Sequence, residues 1–268
     1  SGIPERIGYA TDGRSLLLTH RAKARIKKIA RHQIYYYLDL LYQTGLSPHN
    51  YLEESDFKPD IHLKASQEGI RRAAQILQAA GPSFGGPLIV MNPGANYGPA
   101  KRWFSKRYAA LADRLIAEIK ADIVLIGSRE ERTLAQEIQT LTQHSLTILT
   151  GKTDLASVMG LLSRCDLFIT NDSGPMHLAA ALDTPQIALF GSTDEGATGP
   201  FSSKARVIHK HVECSPCLLR ECPIDLRCFS RIAVDEVYDA ARAALQSGLT
   251  GPTDTNEDVN GNPTSDFP

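Results

Sequence analysis

Short apolar segments alternate with amphipathic segments from residue 88 onward, and this alternation constrains the fold more than any other feature of the sequence. Apolar runs of about five residues are typical of strands that are buried on both faces of a parallel sheet. The segments between them have helical periodicity, as in SKRYAALADRLIAEIK (105–120), where Ser105 is predicted to be the N-cap. The pattern predicts a doubly wound α/β domain with a Rossmann-like parallel sheet over residues 85–245. The predicted strands are 88–92, 122–127, 145–149, 166–170, 185–190 and 205–209, and the predicted helices are 105–120, 130–141, 154–165, 174–182 and 234–245.

The residues outside this domain have other patterns. Residues 1–80 are mostly helical in periodicity, and GPSFGGP (81–87) has the composition of a linker. The chain opens without an initiator methionine and without a core strand before Ile34, so we expect it to be an N-terminally truncated fragment. Residues 246–268 contain four acidic residues, no lysine or arginine and few apolar side chains, which predicts a disordered tail.

Composition and motif content disfavour several classes of protein. The formal net charge of −1 over 268 residues gives no general attraction to nucleic acid. No apolar run approaches the roughly 18 residues of a transmembrane span, and we recognise no signal peptide, so we expect a cytoplasmic protein. The first predicted strand is followed by neither a G-x-G-x-x-G motif nor a P-loop, which disfavours dinucleotide dehydrogenases and P-loop NTPases.

Four loops follow the carboxyl ends of predicted strands, where open parallel sheets bind their ligands. They are rich in small residues, whose backbone amides a ligand can approach closely. The loops are 92–103, 127–132, 171–177 and 191–200.

The segment NDSGPMH (171–177) joins a predicted strand to a predicted helix, with either Ser173 or Gly174 as the N-cap. The free amides of such a first turn lie at the positive end of the helix dipole and form an anion site, to which His177 adds a donor. Simple capping explains the same residues without a ligand. Asp172 opposes a phosphate at this position unless it binds another group, such as a sugar hydroxyl.

Two further charged residues lie at the same predicted edge. Lys101 is in a loop rich in glycine and proline, and its ammonium group suits a phosphate. Glu130 suits a hydrogen bond from a ribose or a base. The alternatives are a solvated loop lysine and an acidic residue favoured by a helix dipole. The convergence of these residues on one edge favours a nucleotide or sugar-phosphate ligand.

Four cysteines are clustered in CSPCLLRECPIDLRC (214–228), with the spacing C-x2-C-x4-C-x5-C. Four thiolates at short spacing are typical of a structural zinc site. Thiols that simply pack in a loop are the alternative, and disulfides are disfavoured in a cytosolic protein. The predicted zinc ligands are Cys214, Cys217, Cys222 and Cys228.

Basic residues are concentrated in HRAKARIKKIARH (20–32). This run is interpreted either as the solvated face of a helix or as a surface for an anionic partner, such as a phosphorylated glycolipid at a membrane.

Two longer motifs, NPGANYGPAKRW (92–103) and NDSGPMHLAAAL (171–182), carry a resemblance to a known family. In order and spacing they resemble signature segments of the bacterial lipopolysaccharide heptosyltransferases, glycosyltransferase family 9, most closely those of its heptosyltransferase II members. GIPERIGY (2–9) is similar to a segment near the end of the family's N-terminal domain, and the cysteine cluster is similar to a variant in some members. The resemblance covers about residues 2–245.

The resemblance implies a GT-B architecture, in which two Rossmann-like domains face each other across a cleft. It implies that residues 85–245 bind ADP-heptose and that residues 1–80 are the incomplete C-terminal part of the acceptor-binding domain. It also implies that Lys101 and His177 stabilise the leaving group. The implied donor contacts are Lys101 with the diphosphate, Glu130 with the adenosine, Asp172 with the heptose, and Ser173, Gly174 and His177 with the phosphates.

The activity that the resemblance implies is an inverting transfer of heptose from ADP-heptose to the inner core of lipopolysaccharide at the membrane surface, with no cofactor required. The family's proposed general base is an Asp near the start of the N-terminal domain, which is expected to lie outside this chain. We therefore expect the chain to bind donor without turnover. Two alternatives stay open: another GT-B nucleotide-sugar enzyme, such as a 2-epimerase, and a nucleotide-binding module without catalysis.

Overall fold

The computed structural model describes residues 2–25, 32–53, 58–81 and 85–249. The predicted disordered tail therefore lies outside the described residues, apart from 246–249. No helix within the described ranges is both long and apolar enough to cross a bilayer. The strands are β1 (Ile7–Tyr9), β2 (His20–Ala22), β3 (Leu88–Asn92), β4 (Asp122–Leu125), β5 (Thr147–Ile148), β6 (Leu167–Asn171), β7 (Gln186–Phe190) and β8 (Ala205–His209). The α-helices are α1 (Gln33–Gln43), α2 (Gln67–Ala80), α3 (Ser105–Ile119), α4 (Arg132–Leu141), α5 (Leu155–Leu162), α6 (Gly174–Ala181), α7 (Glu195–Thr198), α8 (Arg227–Ser230) and α9 (Val234–Leu249).

Six parallel strands form the main sheet in the order β5-β4-β3-β6-β7-β8. The chain winds outward from β3 through β4 to β5, then returns to pair β6 with the other side of β3. This reversal is the switch point of a doubly wound fold, where a crevice opens beyond the carboxyl ends of the two central strands. The predicted Rossmann-like α/β fold is confirmed.

Both faces of the sheet are covered, as the apolar strands predict. In β3, Ile89 and Met91 pack with α3 residues such as Leu115 on one face. Val90 points to the other face, where it packs with Phe168 and with Leu161 of α5. Every residue of β6 and β7 is buried. The core thus fixes the strand ends, and with them the loops that follow.

Three local predictions differ from the structure. Ser105 is the first residue of α3 rather than its N-cap, which is Phe104, and no side chain caps this helix end. Residues 1–80 are predicted to be mostly helical with no strand before Ile34, but β1 and β2 lie there and pair in parallel; each has only three residues, too few to show a period. The helix predicted to end at residue 245 continues as α9 to Leu249.

Two glycines allow α2 to lie directly against α5. A Cβ added to Gly160 of α5 would lie 2.3 Å from the carbonyl oxygen of Gly69 of α2. A Cβ added to Gly69 would lie 2.5 Å from the carbonyl oxygen of Ala156. Although α2 precedes the predicted linker 81–87, it therefore packs on a helix of the main sheet. The domain division near residues 80–85 stays a prediction.

A buried carboxylate joins the two-stranded sheet to α1. Asp39 has no exposed surface, and its carboxylate accepts hydrogen bonds from the guanidinium of Arg25 and from the amide of Gln43 (2.7 Å). The hydroxyl of Tyr9 lies 3.2 Å from the same carboxylate. Burial, together with the charge of Asp39, raises the pKa of Tyr9, so that this hydroxyl keeps its hydrogen.

The basic run 20–32 is not a solvated helix face in its described part. His20–Ala22 form β2, and Arg25 is paired with Asp39. Residues 26–31 lie outside the described residues. At least one cation of the run is thus used within the fold.

Candidate functional site

One buried side chain, Asn171 at the end of β6, joins the two sequence motifs. Its Nδ2 donates to the carbonyl of Pro93 (2.7 Å), and its Oδ1 accepts from the backbone N–H of Trp103 (3.2 Å) and the hydroxyl of Tyr108 (3.1 Å). The amide therefore holds both ends of the loop 92–103 against the second motif. A side chain that lacked either the donor or the acceptor of this amide would leave buried polar groups of the loop unpaired.

The segment 214–228, called the cysteine-containing segment below, also binds the loop around Lys101. The backbone N–H of Ala100 donates to the carbonyl of Arg220 (3.0 Å), and the hydroxyl of Tyr97 donates to the carbonyl of Leu218 (2.7 Å). Gly98 has φ +156°, and a Cβ there would lie 2.3 Å from the Arg220 carbonyl. The close approach of the two backbones thus requires glycine at this position.

Lys101 and Asp172 meet at the carboxyl end of the sheet. Nζ of Lys101 lies 2.5 Å from Oδ2 of Asp172, and the hydroxyl of Thr193 donates to the same oxygen (2.7 Å). The Asp172 side chain is only 6% exposed and that of Lys101 13%, so solvent screens this pair weakly. Within the described ranges, no side chain or backbone N–H bonds to Oδ1, which leaves this oxygen for a further donor.

The helix α6 begins beside this ion pair. Ser173 is the N-cap by its extended backbone, and Gly174 is the first helical residue. The hydroxyl of Ser173 does not cap the helix but bonds to Nδ2 of Asn92 (2.9 Å) and to Thr170 (3.0 Å). Among the described residues, nothing accepts from the N–H of Ser173 or of Gly174. Gly174 is exposed, with open space where a Cβ would lie. Both amides are thus available to an anion at the positive end of the helix dipole.

His177 lies in the second half of the same first turn and is exposed. Partial desolvation is the main cause that lowers the pKa of His177, and electrostatic interactions with His32 and Lys101 act in the same direction. The charge of Asp172 opposes them. The imidazole is therefore near the Lys101–Asp172 pair and favours its neutral form in the free protein.

A cavity of about 600 Å³ opens next to these groups, beyond β3, β4 and β6. Its walls include Gly94 from the first loop, Ser173 and Gly174 from the second motif, and Glu131 from the loop after β4. The carboxylate of Glu131 accepts from the N–H of Ser128 (2.8 Å), and a Cβ on Gly94 would lie 1.9 Å from it. A side chain at position 94 would therefore displace the Glu131 carboxylate from its place in the cavity wall.

The predicted residue Glu130 lies apart from this cavity wall. It is exposed on the short 3-10 turn 129–131, and its own backbone N–H and the Ser128 hydroxyl lower its pKa. The structure thus brings Ser173 and Gly174 to the cavity and groups Lys101, Asp172 and His177 beside it. The role predicted for Glu130 stays a prediction.

Sequence reasoning did not single out three residues that build the site. Thr193 lies in the loop 191–200, which was identified only by its small residues. Its hydroxyl, shortly after a buried strand, is the feature that could have made it a candidate. Glu131 is the N3 residue of the capping box that begins at Ser128, and this pattern is readable from the sequence. The role of Asn171 depends on contacts across the fold, which no local pattern shows.

The four clustered cysteines are free thiols in the loop after β8 and in α8. Cys214 is exposed, Cys217 and Cys222 are half-buried, and Cys228 is buried, which raises the pKa of Cys228. In the described range 85–249, no three of these sulfur atoms lie within 4.8 Å of one another. The zinc site stays a prediction that metal analysis of the purified protein can test.

Known proteins share both the sequence and the fold of this chain. The chain is 34% identical over 169 residues to lipooligosaccharide heptosyltransferase 2 of Campylobacter jejuni, covering 61% of this chain and 52% of that protein. It is 44% identical over 126 residues to lipopolysaccharide heptosyltransferase 2 of Salmonella typhimurium, covering 46% of this chain and 36% of that protein. The chain thus spans about half the length, or less, of these relatives.

A solved structure agrees with the sequence comparison. The fold is similar to that of Escherichia coli ADP-heptose lipopolysaccharide heptosyltransferase II, with a TM-score of 0.75 and 30% identity over 92% of this chain and 72% of that chain. This likeness confirms a fold of the GT-B type. The model of the family described as glycosyltransferase family 9 (heptosyltransferase) matches residues 1–227, which include both motifs and the ion pair between them. The chain therefore belongs to glycosyltransferase family 9.

Proposed function

We propose that this chain supplies the ADP-heptose site of an enzyme that transfers heptose to the inner core of lipopolysaccharide. The observation that carries the proposal is the ion pair of Lys101 with Asp172 beside the two free amides of α6. A cation and two backbone donors at one crevice suit a diphosphate. The relatives named as heptosyltransferases supply the substrate class.

The donor would lie across the switch point with each part against a different group. The cavity beyond β3, β4 and β6 has room for the adenosine, with Glu131 or Glu130 near its hydroxyls. The diphosphate would contact the amides of Ser173 and Gly174, together with Lys101. Oδ1 of Asp172 would accept a hydrogen bond from a heptose hydroxyl, which explains an acidic side chain beside a phosphate site.

The proposed transfer is a single displacement with inversion. A hydroxyl of the acceptor loses its proton to a general base and attacks the anomeric carbon of heptose, while the bond from that carbon to the ADP oxygen breaks. Negative charge then grows on the departing diphosphate. Lys101, the α6 amides and His177 would stabilise this charge, so that the transfer requires no metal ion or other cofactor.

Calorimetric titration with ADP, ADP-heptose and UDP-sugars tests the donor assignment. We expect ADP and ADP-heptose to bind at one molecule per chain and UDP-sugars to bind much more weakly. A chain that bound UDP-sugars tightly and gave no response to ADP would instead be a different nucleotide-sugar protein, such as a 2-epimerase. Binding of ADP without preference for ADP-heptose would favour a nucleotide-binding module.

The lowered pKa of His177 predicts a pH dependence of ADP binding. A diphosphate beside the ring stabilises the imidazolium, so binding raises this pKa and takes up a proton. The affinity should therefore increase as pH falls from about 8 to about 6, a range that spans the ordinary histidine value. Without ADP, the stability of the fold changes with pH in the opposite direction. The contribution of His177 to the free energy of unfolding is full above about pH 6.5 and is lost as pH falls further.

Titrations in buffers of different ionisation enthalpy measure this proton uptake directly. A His177→Gln variant should retain only the proton exchange of ADP itself, which makes it the matched reference. Equal proton uptake by the parent and the variant would contradict the placement of His177 at the diphosphate.

A further inference from the structure

Three side chains that the proposed transfer does not use lie together beyond β7. Glu195 begins α7, His209 ends β8, and His211 follows it by two residues. The Glu195 carboxylate lies between the imidazoles, with Oε2 2.6 Å from Nδ1 of His209 and Oε1 3.2 Å from Nε2 of His211. Within the described part of the chain, this is the only group of three or more His, Cys, Asp or Glu whose ligand atoms all lie within 4.8 Å of one another.

The hydrogen bonds of His209 determine which of its nitrogens carries a proton. Ser215 donates its hydroxyl hydrogen to the carbonyl of Gly191 (2.5 Å), so its oxygen is left to accept from His209. Nε2 of His209 lies 2.8 Å from that oxygen and 3.2 Å from the same carbonyl. Both neighbours are acceptors, so Nε2 carries a hydrogen. The neutral ring then turns the lone pair of Nδ1 toward Glu195.

His209, Glu195 and His211 direct three ligand atoms at one small volume, all within 4.8 Å of one another. The His209 side chain is 3% exposed, so a cation bound there would be enclosed by protein on its inner side. Nε2 of His211 faces the second carboxylate oxygen and would contact the same cation. Nε2 of His209 also lies 3.2 Å from a backbone carbonyl. Metal-bound histidines typically donate their second ring N–H to such an acceptor.

We propose that Glu195, His209 and His211 bind a divalent transition-metal ion such as Zn²⁺. Two imidazole nitrogens and one carboxylate oxygen are a common ligand set for such ions, with water completing the coordination. His211 is 71% exposed and leaves an entry path from solvent. The site is separate from the four clustered cysteines.

The position of the metal indicates a structural role. Thr193, which bonds to Asp172, lies two residues before Glu195 in the sequence. His209 lies on β8, the strand that neighbours β7. A metal ion would tie the loop after β7 to the end of β8, and through Ser215 to the cysteine-containing segment. The ion therefore holds the Thr193 side of the donor site without contacting the substrate.

Titration of the metal-stripped chain with Zn²⁺ and Co²⁺ tests the proposal. We expect Zn²⁺ to bind with a rise in melting temperature, and Co²⁺ to give visible absorption without the near-ultraviolet band of thiolate-to-cobalt charge transfer. His211→Ala should weaken Zn²⁺ binding by at least about 100-fold, the upper end of the effect of losing a second-shell partner. Because His211 is exposed, this variant should fold normally, as circular dichroism can verify.

The control variant is Cys214→Ser/Cys217→Ser, which alters the thiols and leaves this site intact. It should retain Zn²⁺ binding and the cobalt spectrum. Metal binding that survived His211→Ala unchanged, or that disappeared in the cysteine variant, would overturn the proposal. So would a parent chain that bound neither ion.

Discussion

Replacement of Lys101 by methionine is expected to weaken ADP binding by about 100-fold, because charge-assisted hydrogen bonds are worth about 2–3 kcal/mol. The ammonium group of Lys101 lies at the crevice beyond the carboxyl ends of the strands. Its side chain is 13% exposed and is directed at Asp172. Methionine keeps much of the apolar stem and removes only the charge. Isothermal titration calorimetry with ADP measures the effect.

The same substitution leaves the Asp172 carboxylate buried without its cation, which alone lowers stability. The double variant Lys101→Met/Asp172→Asn removes this unpaired charge, so its loss of ADP affinity reports on the diphosphate contact. Lys106→Ala is the matched control, because Lys106 is an exposed lysine on the adjacent helix α3. A Lys101→Met chain that bound ADP as tightly as the parent would rule out the diphosphate role.

Replacement of Gly160 by valine is expected to lower the free energy of unfolding by at least about 3 kcal/mol, the upper end of overpacking effects. The first added carbon would lie 2.3 Å from the Gly69 carbonyl, a backbone atom that cannot rotate away. The helices α2 and α5 must then separate, which loosens the apolar cluster to which Leu77 of α2 and Leu161 of α5 both belong. Urea denaturation followed by circular dichroism measures the change.

Gly174→Ala is the stability control for this measurement. Position 174 is likewise a glycine in a helix, but it has open space where a Cβ would lie, so the substitution should change stability by less than about 1 kcal/mol. A Gly160→Val chain with nearly parental stability would show that α2 and α5 do not approach as closely as described.

The sequence was sufficient for the main sheet because its strands carry their own signal. Short, nearly continuous apolar runs between loop residues, as in β6 and β7, favour strands that are covered on both faces. The strands β1 and β2 carry no such signal, because three residues that are half exposed show neither period nor apolar continuity.

The sequence predicts which edge of the sheet carries the site, but it does not predict the contacts between the site residues. The carboxyl ends of β3 and β6 are neighbours in any sheet of this order, so Lys101 and Asp172 could be assigned to one edge. Their direct ion pair, and the bond from Thr193, depend on how the loop 92–103 is folded back by Asn171. Glu130 and Glu131 face different directions because they are consecutive residues on one turn, and in the sequence only the capping-box pattern from Ser128 to Glu131 distinguishes them.

The docking of the cysteine-containing segment (214–228) on the loop around Lys101 limits which sequence changes these two segments tolerate. The segment contributes the carbonyl oxygens of Leu218 and Arg220, while the backbone N–H of Leu218 bonds to the carbonyl of Ser192. Because these are main-chain atoms, many residue types at 218–221 would preserve the contacts. A deletion or insertion of one residue would displace every one of them. Variation among related chains should therefore be greater in the side chains at 218–221 than in the length of this segment.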